Sequence, residues 1–282
     1  MPSIAYYNGS FLHLSDIKIP LSDRSVFFGD AIYDAAIGRG GRIYLEKAHS
    51  ERFFSSAALA GIAFSKSESE LSEILHTAVT LSEYEEYFVY FQLSANGKER
   101  KHAREANFGQ NLLVTVTPFS IPPTEKQLSL ILFPDKRYRY CNIKTTNLLP
   151  AVFASNAAMS AGADEAVFVN GSSITECAHS NIFILKDGRL ITHPDGEHIL
   201  SGISRKRLIE ISEKLGIKTI LRPFSKEELF SCDEALVTST TKLCLSASRL
   251  DGLPIGGRDR KTAHRLISAM RYDYFRQTSK FF

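Results

Sequence analysis

The spacing of apolar residues changes period several times along the chain, which predicts a mixture of strands and helices. In the first 120 residues, apolar positions three and four apart predict amphipathic helices over 47–60 and 67–81. Apolar and polar residues alternate elsewhere, and turn residues such as Asn8-Gly9 separate these stretches. The predicted strands are a hairpin over 4–14 and the stretches 31–37, 42–45, 87–93 and 112–117.

The second half repeats this mixture. Strands are predicted over 129–133, 165–169, 181–186 and 234–238, and helices over 149–161 and 204–215. The segment Ile121-Pro122-Pro123-Thr124 interrupts both periods, as an extended connector does. We therefore expect an α+β protein of two mixed α/β domains. The N-terminal domain covers 1–120, a linker covers 121–128, and the C-terminal domain covers 129–282.

Composition and charge exclude several classes of protein. The 282 residues are 44% hydrophobic and 23% charged, which is typical of a folded globular chain. The net charge is only +3, and no segment concentrates it, so nucleic acid is not an expected partner. No apolar run approaches the ~20 residues of a membrane span, and the N-terminus lacks a secretory signal, so we expect a cytoplasmic protein without membrane contact. The cysteines, which are spaced too widely to predict a metal site or a disulfide framework, are Cys141, Cys177, Cys232 and Cys244.

Two charged residues lie beside apolar segments, and a charged side chain that is buried there requires a partner or a function. Lys144 precedes the predicted helix over 149–161. It is either a lysine whose stem packs while its ammonium reaches water, or a desolvated amine able to form a Schiff base with an aldehyde cofactor. Glu176 lies just before the predicted strand over 181–186. It is either a solvated turn residue or a buried carboxylate that faces a protonated pyridine nitrogen.

Three further segments offer anion-binding groups. Residues 201–205 begin a predicted helix with glycine and serine, which leaves backbone N–H groups available to a phosphate. Residues 237–241 end a predicted strand with four hydroxyl residues. Arg100 and His102 share one side of an extended loop, where the arginine can bind a carboxylate. Taken singly, each is better explained as a helix cap, a turn or a solvated basic loop.

Six segments, in order along nearly the whole chain, resemble the fold-type IV pyridoxal-phosphate enzymes, which include D-amino-acid and branched-chain aminotransferases and aminodeoxychorismate lyases. The segments are 23–34 (DRSVFFGDAIYD), 49–53 (HSERF), 144–149 (KTTNLL), 175–183 (TECAHSNIF), 202–205 (GISR) and 237–241 (VTSTT). The resemblance implies pyridoxal 5′-phosphate as cofactor at the interface of the two domains. It also implies that the C-terminal domain carries the Schiff-base lysine.

The same resemblance implies a role for each matching residue. Lys144 is the catalytic residue that binds the cofactor covalently, and Glu176 pairs with its ring nitrogen. The residues implied to hold the 5′-phosphate are Arg52, Ile203, Ser204, Ser239 and Thr240. Tyr33 and Tyr90 are expected to line the substrate pocket. The implied reaction is a ping-pong transfer of an amino group from an amino acid to a 2-oxo acid, without a metal ion.

The pair Arg100 and His102 resembles the R-x-H motif of bacterial D-amino-acid aminotransferases, where it binds the substrate carboxylate together with the tyrosine matching Tyr33. This favours a D-amino acid such as D-alanine as donor and 2-oxoglutarate as acceptor. An aminodeoxychorismate lyase and a branched-chain L-amino-acid aminotransferase remain as alternatives, and so does an inactive cofactor-binding protein. Family members are homodimers in which this loop can reach the neighbouring pocket. One departure is 177–179 (CAH), where the family is rich in glycine and serine.

Overall fold

The computed structural model describes residues 4–105 and 107–279, which form two compact units. The first unit takes its described residues from Met1–Ser120, together with Ile143–Asn147 and the end of the chain from Phe275. The second contains Ile121–Asn142 and Leu148–Tyr274. Each unit combines a sheet with helices, which confirms the expected α+β class.

The first unit is built on an antiparallel sheet, with the strand order β2-β1-β6-β5-β3-β4 in the described residues. The strands are β1 (Ile4–Tyr7), β2 (Ser10–His13), β3 (Ala31–Arg39), β4 (Arg42–Ile43), β5 (Glu86–Asn96) and β6 (Gly109–Pro118). The helices are α1 (Arg24–Phe28), α2 (Glu46–Leu59) and α3 (Glu68–Ser82). The predicted hairpin, strands and two helices of this half are therefore confirmed.

Helices α2 and α3 cover the sheet with their apolar faces. Phe53 of α2, Leu71 and Leu75 of α3 and Phe91 of β5 are buried in one hydrophobic cluster. The start of α3 is fixed locally, because Ser67 and the side chain of Glu70 form a capping box. This packing holds β3 and α2 rigidly, and both carry candidate site residues.

The second unit is built on a mixed sheet, in the order β12-β11-β10-β14-β15-β7-β8-β9-β13, with β16 paired to β15. The strands are β7 (Leu128–Pro134), β8 (Glu165–Asn170), β9 (Ser173–Cys177), β10 (Asn181–Lys186), β11 (Arg189–Thr192), β12 (Thr219–Leu221), β13 (Phe224–Ser225), β14 (Glu234–Thr238), β15 (Leu245–Leu250) and β16 (Leu253–Pro254). The helices are α4 (Leu149–Ser160), α5 (Ile203–Lys214), α6 (Lys226–Phe230) and α7 (Arg260–Thr278).

The segment Ile143–Asn147, which carries Lys144, lies with the first unit, whereas the sequence places the lysine in the second domain. The reason is backbone pairing with β3. The Tyr33 N–H donates to the Lys144 carbonyl at 2.9 Å, and Ile32 and Thr145 form an antiparallel bridge. Residues 121–128, expected as a linker, group with the second unit.

Helix α7 was not expected, although its pattern is that of an amphipathic helix. Leu266, Ile267, Met270 and Tyr274 are buried, and their spacing follows one helical face. Basic residues fill much of its remaining surface. In the described part of the chain, no helix combines the length and apolar character that crossing a bilayer requires.

Candidate active site

Lys144 is held beside an aromatic pair of the first unit. Its Nζ lies 4.3 Å from the centroid of the Tyr33 ring, and Tyr33 stacks on Tyr90 with centroids 5.3 Å apart. The Tyr90 hydroxyl donates to Gln92 Oε1 at 2.6 Å, and burial raises the pKa of this hydroxyl well above its usual value. The structure therefore brings three predicted site residues together: the partly exposed Lys144 lies against Tyr33, which stacks on Tyr90.

Arg52 is fixed by a buried carboxylate on the neighbouring strand. Arg52 Nε donates to Asp34 Oδ2 at 2.7 Å and its Nη2 to Oδ1 at 2.8 Å. His49, one turn before Arg52 on α2, lies with Nδ1 2.7 Å from the same Oδ1. The Ala35 N–H donates to Oδ1 at 2.7 Å as well. The Asp34 side chain has no exposed surface, so it serves to orient the guanidinium.

The charges around Asp34 decide its protonation. Burial raises the pKa of this carboxyl, but Arg52 and His49 outweigh burial and hold the pKa below its usual range. Burial lowers the pKa of His49, and the positive charges of Arg52 and Lys144 lower it further, against the opposing pull of Asp34. The influence of Lys144 on His49 shows that the amine belongs to the same electrostatic neighbourhood. Asp34 is thus a negative charge that pairs with the Arg52 guanidinium and contacts the His49 ring.

Glu176 is a buried carboxylate of the second unit, at the end of β9. Its Oε1 accepts from Arg137 Nη1, and the Leu200 N–H donates to both carboxylate oxygens at 3.2 and 3.1 Å. Asn181 Nδ2 donates to Oε2 at 2.9 Å. The solvated turn residue that the sequence left open is therefore excluded, because only 6% of Glu176 is exposed.

The partner of Glu176 is shared with a second acid. Arg137 donates from Nε to Asp135 Oδ1 at 3.0 Å and from Nη2 to Oδ2 at 2.8 Å. Burial raises the pKa of Glu176 to about 7; Arg137 opposes this, whereas the negative charge of Asp135 adds to it. Glu176 can therefore change its protonation near neutral pH.

Asn181 joins Glu176 to two other predicted segments. Its Nδ2 also donates to the Leu200 carbonyl at 2.9 Å, and its backbone lies opposite Thr238 at the end of β14. A Cβ atom at Gly202 would lie 2.0 Å from Asn181 Oδ1, so any other residue there would displace the Asn181 side chain. The end of β14 and the entry to α5 therefore meet at Asn181.

Helix α5 begins with donors that no side chain of the described residues caps. Gly202 is its N-cap residue and makes no side-chain hydrogen bond, and Ile203 and Ser204, both buried, follow in the first turn. Free N–H groups at the positive end of a helix bind phosphate. Ile203 and Ser204 therefore lie in the first turn of a helix, and their role as phosphate ligands stays a prediction.

The hydroxyl residues after β14 form a compact turn. Ser239 Oγ accepts from the Lys242 N–H at 3.1 Å and lies 3.3 Å from Thr241 Oγ1. Ser239 and Thr240 are partly exposed, so their hydroxyls can reach a ligand. The buried Thr238 Oγ1 has no hydrogen-bond partner among the described residues, which leaves it available to a ligand or a water molecule.

Arg100 and His102 lie against the aromatic rings of α1. The Arg100 guanidinium is 5.5 Å from the Phe27 centroid and 5.3 Å from that of Phe28. The His102 ring is 5.3 Å from Phe28. A cavity of about 220 Å³ adjoins Arg100 and these phenylalanines. Arg100 and His102 therefore contact α1. Tyr33, also predicted to bind substrate, instead contacts Lys144 and Tyr90.

Two arginines and one acid fix the loop of Arg100 and His102. Arg24 donates to the carbonyls of Lys101 and His102 at 2.6 and 2.8 Å, and its Nε donates to Asp30 at 2.7 Å. Arg104 donates from Nε to Asp30 Oδ2 at 2.9 Å. The loop therefore presents its side chains from a defined backbone.

The residues of these clusters that were not predicted as site residues include Asp34, His49, Arg137 and Asn181. Asp34, His49 and Asn181 stand within the family-like segments 23–34, 49–53 and 175–183, which was the available signal. Arg137 lies 39 residues from Glu176 and carries no local signal.

Comparison with known proteins agrees with this geometry. The family described as Amino-transferase class IV matches residues 31–250. The D-alanine aminotransferase of Bacillus licheniformis is 31% identical over 252 residues, which cover 89% of each chain. The branched-chain amino acid aminotransferase of Escherichia coli has a TM-score of 0.89 at 19% identity and covers 100% of this chain and 97% of that chain.

A third similar protein is the branched-chain aminotransferase of Thermobaculum terrenum in its PLP form. It has a TM-score of 0.82 at 18% identity, with 99% of this chain and 98% of that chain covered. The chain belongs to the class IV amino-transferase family. It is an aminotransferase of the fold that the sequence predicted.

Proposed function

We propose that the protein is a pyridoxal-phosphate-dependent aminotransferase that takes the amino group of a D-amino acid such as D-alanine and gives it to a 2-oxo acid such as 2-oxoglutarate. The observation that carries the proposal is Arg100 and His102 on a loop fixed by Arg24, in a chain 31% identical to a D-alanine aminotransferase. Family membership supplies the reaction class, and the loop supplies the preference among substrates.

The donor sets of the two units fit the chemistry of pyridoxal phosphate. Lys144 offers an amine for the aldehyde, and Arg52 offers a guanidinium already oriented by Asp34. The buried Glu176 offers a carboxylate for the ring nitrogen. The uncapped start of α5 and the hydroxyls of Ser239 and Thr240 offer the neutral donors that a phosphate requires.

When bound, pyridoxal phosphate accepts the electron pair left by cleavage of the substrate Cα–H bond. Glu176 keeps a proton on the ring nitrogen, because a carboxylate whose pKa is about 7 when unliganded gains most from a cationic partner. Lys144 Nζ would be the base that removes the Cα proton. The ring of Tyr33, stacked on Tyr90, limits where this amine can move.

Arg100 and His102 bind the substrate carboxylate in this proposal, and Tyr33 assists. Arginine can bind a carboxylate through two parallel hydrogen bonds, which fixes its orientation. Once the carboxylate is fixed and the Cα–H bond faces Lys144, only one enantiomer can react.

We further propose that the working protein is a homodimer, as in its family. Helix α4 exposes Val152, Phe153 and Met159, with 47%, 57% and 72% of their surfaces accessible. Apolar side chains clustered on a surface favour association. Light scattering under assay conditions measures the molar mass of the active protein, and an active monomer would contradict the proposed dimer.

The test of the function is a half-reaction followed by the visible absorbance of the bound cofactor. The protein, loaded with pyridoxal phosphate, is mixed separately with D-alanine, L-alanine, L-leucine and aminodeoxychorismate. We expect rapid conversion by D-alanine alone, and slow conversion by D-alanine in Arg100→Ala and His102→Ala. The exposed Lys98→Ala on the same loop is the matched control and should react like the native chain.

Each other outcome points elsewhere. Conversion by L-leucine alone would identify a branched-chain L-amino-acid aminotransferase. Pyruvate release from aminodeoxychorismate would identify a lyase. Cofactor binding without conversion by any amine would leave a binding protein.

A further inference from the structure

A second group of charged side chains lies beside the hydroxyl turn of 239–241. Glu165, at the start of β8, has no exposed side-chain surface. Its Oε2 accepts from Lys242 Nζ at 3.0 Å and from Ser180 Oγ at 2.9 Å. Its Oε1 accepts from the His179 N–H at 3.0 Å and lies 3.3 Å from His179 Nδ1. We call Glu165, His179, Ser180 and Lys242 the Lys242 cluster.

The contacts of His179 define its protonation. Lys242 Nζ lies 3.0 Å from His179 Nε2, and an ammonium can only donate hydrogen bonds. His179 Nε2 is therefore the acceptor, and the ring proton sits on Nδ1, which faces Glu165. A second proton on Nε2 would remove this acceptor and place a second cation beside the ammonium.

The Lys242 cluster joins two segments that the proposed function assigns to the cofactor. The Lys242 backbone N–H donates to Ser239 Oγ at 3.1 Å, so the position of Lys242 fixes the hydroxyl turn. The Cys177 N–H donates to the Ser180 carbonyl at 2.8 Å, which closes the hairpin directly after Glu176. Movement of Lys242 would therefore displace both the turn of 239–241 and the hairpin after Glu176.

We propose that Lys242 is a positioning residue for the turn of 239–241, and that a proton gained by His179 weakens its hold on this turn, although the Glu165–Lys242 ion pair remains. Cofactor affinity then falls as His179 gains a proton. The inference rests on the proposed function, since it takes Ser239 and Thr240 as phosphate ligands. The departure from the family pattern at 177–179 is what places a histidine here.

Other charged groups near His179 set the balance. Glu165 of β8 favours a proton on the ring, whereas the Lys242 ammonium opposes it. Asp164, just before β8, interacts electrostatically with Lys242. Burial raises the pKa of the Cys177 thiol on β9 well above its usual value, so this thiol stays neutral. The titrating partner of Lys242 is therefore His179.

The test measures the dissociation constant of pyridoxal phosphate by equilibrium dialysis between about pH 5 and 8, where histidine changes charge. His179→Gln keeps a carbonyl acceptor for Lys242 but has no proton to gain. His264→Gln, an exposed change on α7, is the matched control. The cofactor titrates in the same range, so each variant is compared with the native chain at equal pH.

We expect His179→Gln to match the native chain near pH 8 and to bind about tenfold more tightly near pH 5, as a shift of one pKa unit in linkage implies. His264→Gln should follow the native profile throughout. Lys242→Met should bind more weakly near pH 8 and approach the native chain at low pH. Pyridoxal, which lacks the phosphate, should show no difference between the native chain and His179→Gln.

Parallel profiles for His179→Gln and the native chain would overturn the proposal, and so would native affinity in Lys242→Met. His179→Gln retains the Glu165–Lys242 ion pair, so the test holds even if Lys242→Met does not fold, which circular dichroism reports. A native chain that binds no pyridoxal phosphate at any pH would overturn the proposed function and this inference together.

Discussion

Asp34 and Glu176 are both buried carboxylates paired with arginine, yet their pKa values move in opposite directions. Asp34 receives two hydrogen bonds from Arg52 and faces His49, and its pKa falls below the usual range in spite of burial. Glu176 shares Arg137 with Asp135, and burial raises its pKa to about 7. The direction of each pKa shift depends on whether the acid shares its arginine with a second carboxylate.

This difference separates a structural acid from a reactive one. Asp34 keeps its charge at any ordinary pH, so it can hold Arg52 in one orientation. Glu176 is incompletely compensated, and a buried carboxylate in that state is stabilised by a new cationic partner. Perturbed pKa values of this kind are common at functional sites. We therefore propose that Glu176 takes part in proton chemistry and that Asp34 anchors Arg52.

The largest expected effect is on turnover in Glu176→Gln. Glutamine keeps the size of the side chain but cannot compensate a protonated ring nitrogen, so kcat should fall by roughly 10²–10⁴-fold, the range for a positioned acid or base. Steady-state kinetics with D-alanine measures this. The exposed Glu83→Gln serves as control, and a native kcat in Glu176→Gln would remove the distinction between the two acids.

Asp34→Asn should act first on stability. It removes the carboxylate that holds the largely buried Arg52 guanidinium, and breaking such a pair costs about 3–5 kcal/mol. Urea unfolding of the cofactor-free chain measures the loss, with the exposed pair variant Glu51→Gln as control. An unchanged free energy of unfolding would mean that Asp34 does not anchor Arg52.

The two acids should also give opposite pH dependences of stability. The pKa of Glu176 is raised from its usual 4.5 to about 7, so its stabilising contribution is complete below the unfolded pKa and is lost as pH rises through about 7. The free energy of unfolding of Glu176→Gln, relative to that of the native chain, should therefore rise by about 3 kcal/mol as the pH is raised from 4 to 8. The pKa of Asp34 is lowered, so its contribution is lost only as pH falls below the unfolded value.

Unfolding curves at several pH values in that range separate the two cases. The offset between Asp34→Asn and the native chain should stay constant from pH 5 to 8, because Asp34 is ionised in both states. A constant offset for Glu176→Gln as well would contradict a raised pKa for Glu176.

The smallest effect is expected from Asp135→Asn, which leaves the charge of Arg137 to Glu176 alone. The pKa of Glu176 should fall by about one unit, because a neighbouring like charge is removed. Carbon-13 NMR of glutamate side chains, with the Glu176 signal assigned by its loss in Glu176→Gln, measures the shift. Asp164→Asn is the matched control, and an unshifted Glu176 signal in Asp135→Asn would show that sharing of Arg137 is unimportant.

The elements that the sequence predicted well are those whose signals are local. Helix α3 was expected over 67–81 and spans Glu68–Ser82, because its capping box and apolar stripe both lie within the helix. Strand β5 alternates buried and partly exposed residues over most of its length, and it was found. The grouping of the Lys144 segment with the first unit has no local signal, since its pairing with β3 joins residues more than a hundred positions apart.

The candidate site shows the same limit. Lys144 and Glu176 were found through family-like segments, but their protonation depends on neighbours distant in sequence. The effect of Asp135 on Glu176 passes through Arg137, and no local pattern encodes it. His179 was noticed only as a departure from the family, and its contact with Lys242 spans 63 residues.

We expect Glu176, and not Asp34, to govern the protonation of the cofactor ring. The most direct measurement is nitrogen-15 NMR of the chain loaded with pyridoxal phosphate labelled at the ring nitrogen, since this signal reports whether that nitrogen carries a proton. We predict a protonated nitrogen in the native chain and in Asp34→Asn, and an unprotonated one in Glu176→Gln. A protonated nitrogen in Glu176→Gln would show that Glu176 does not govern the protonation of the cofactor ring.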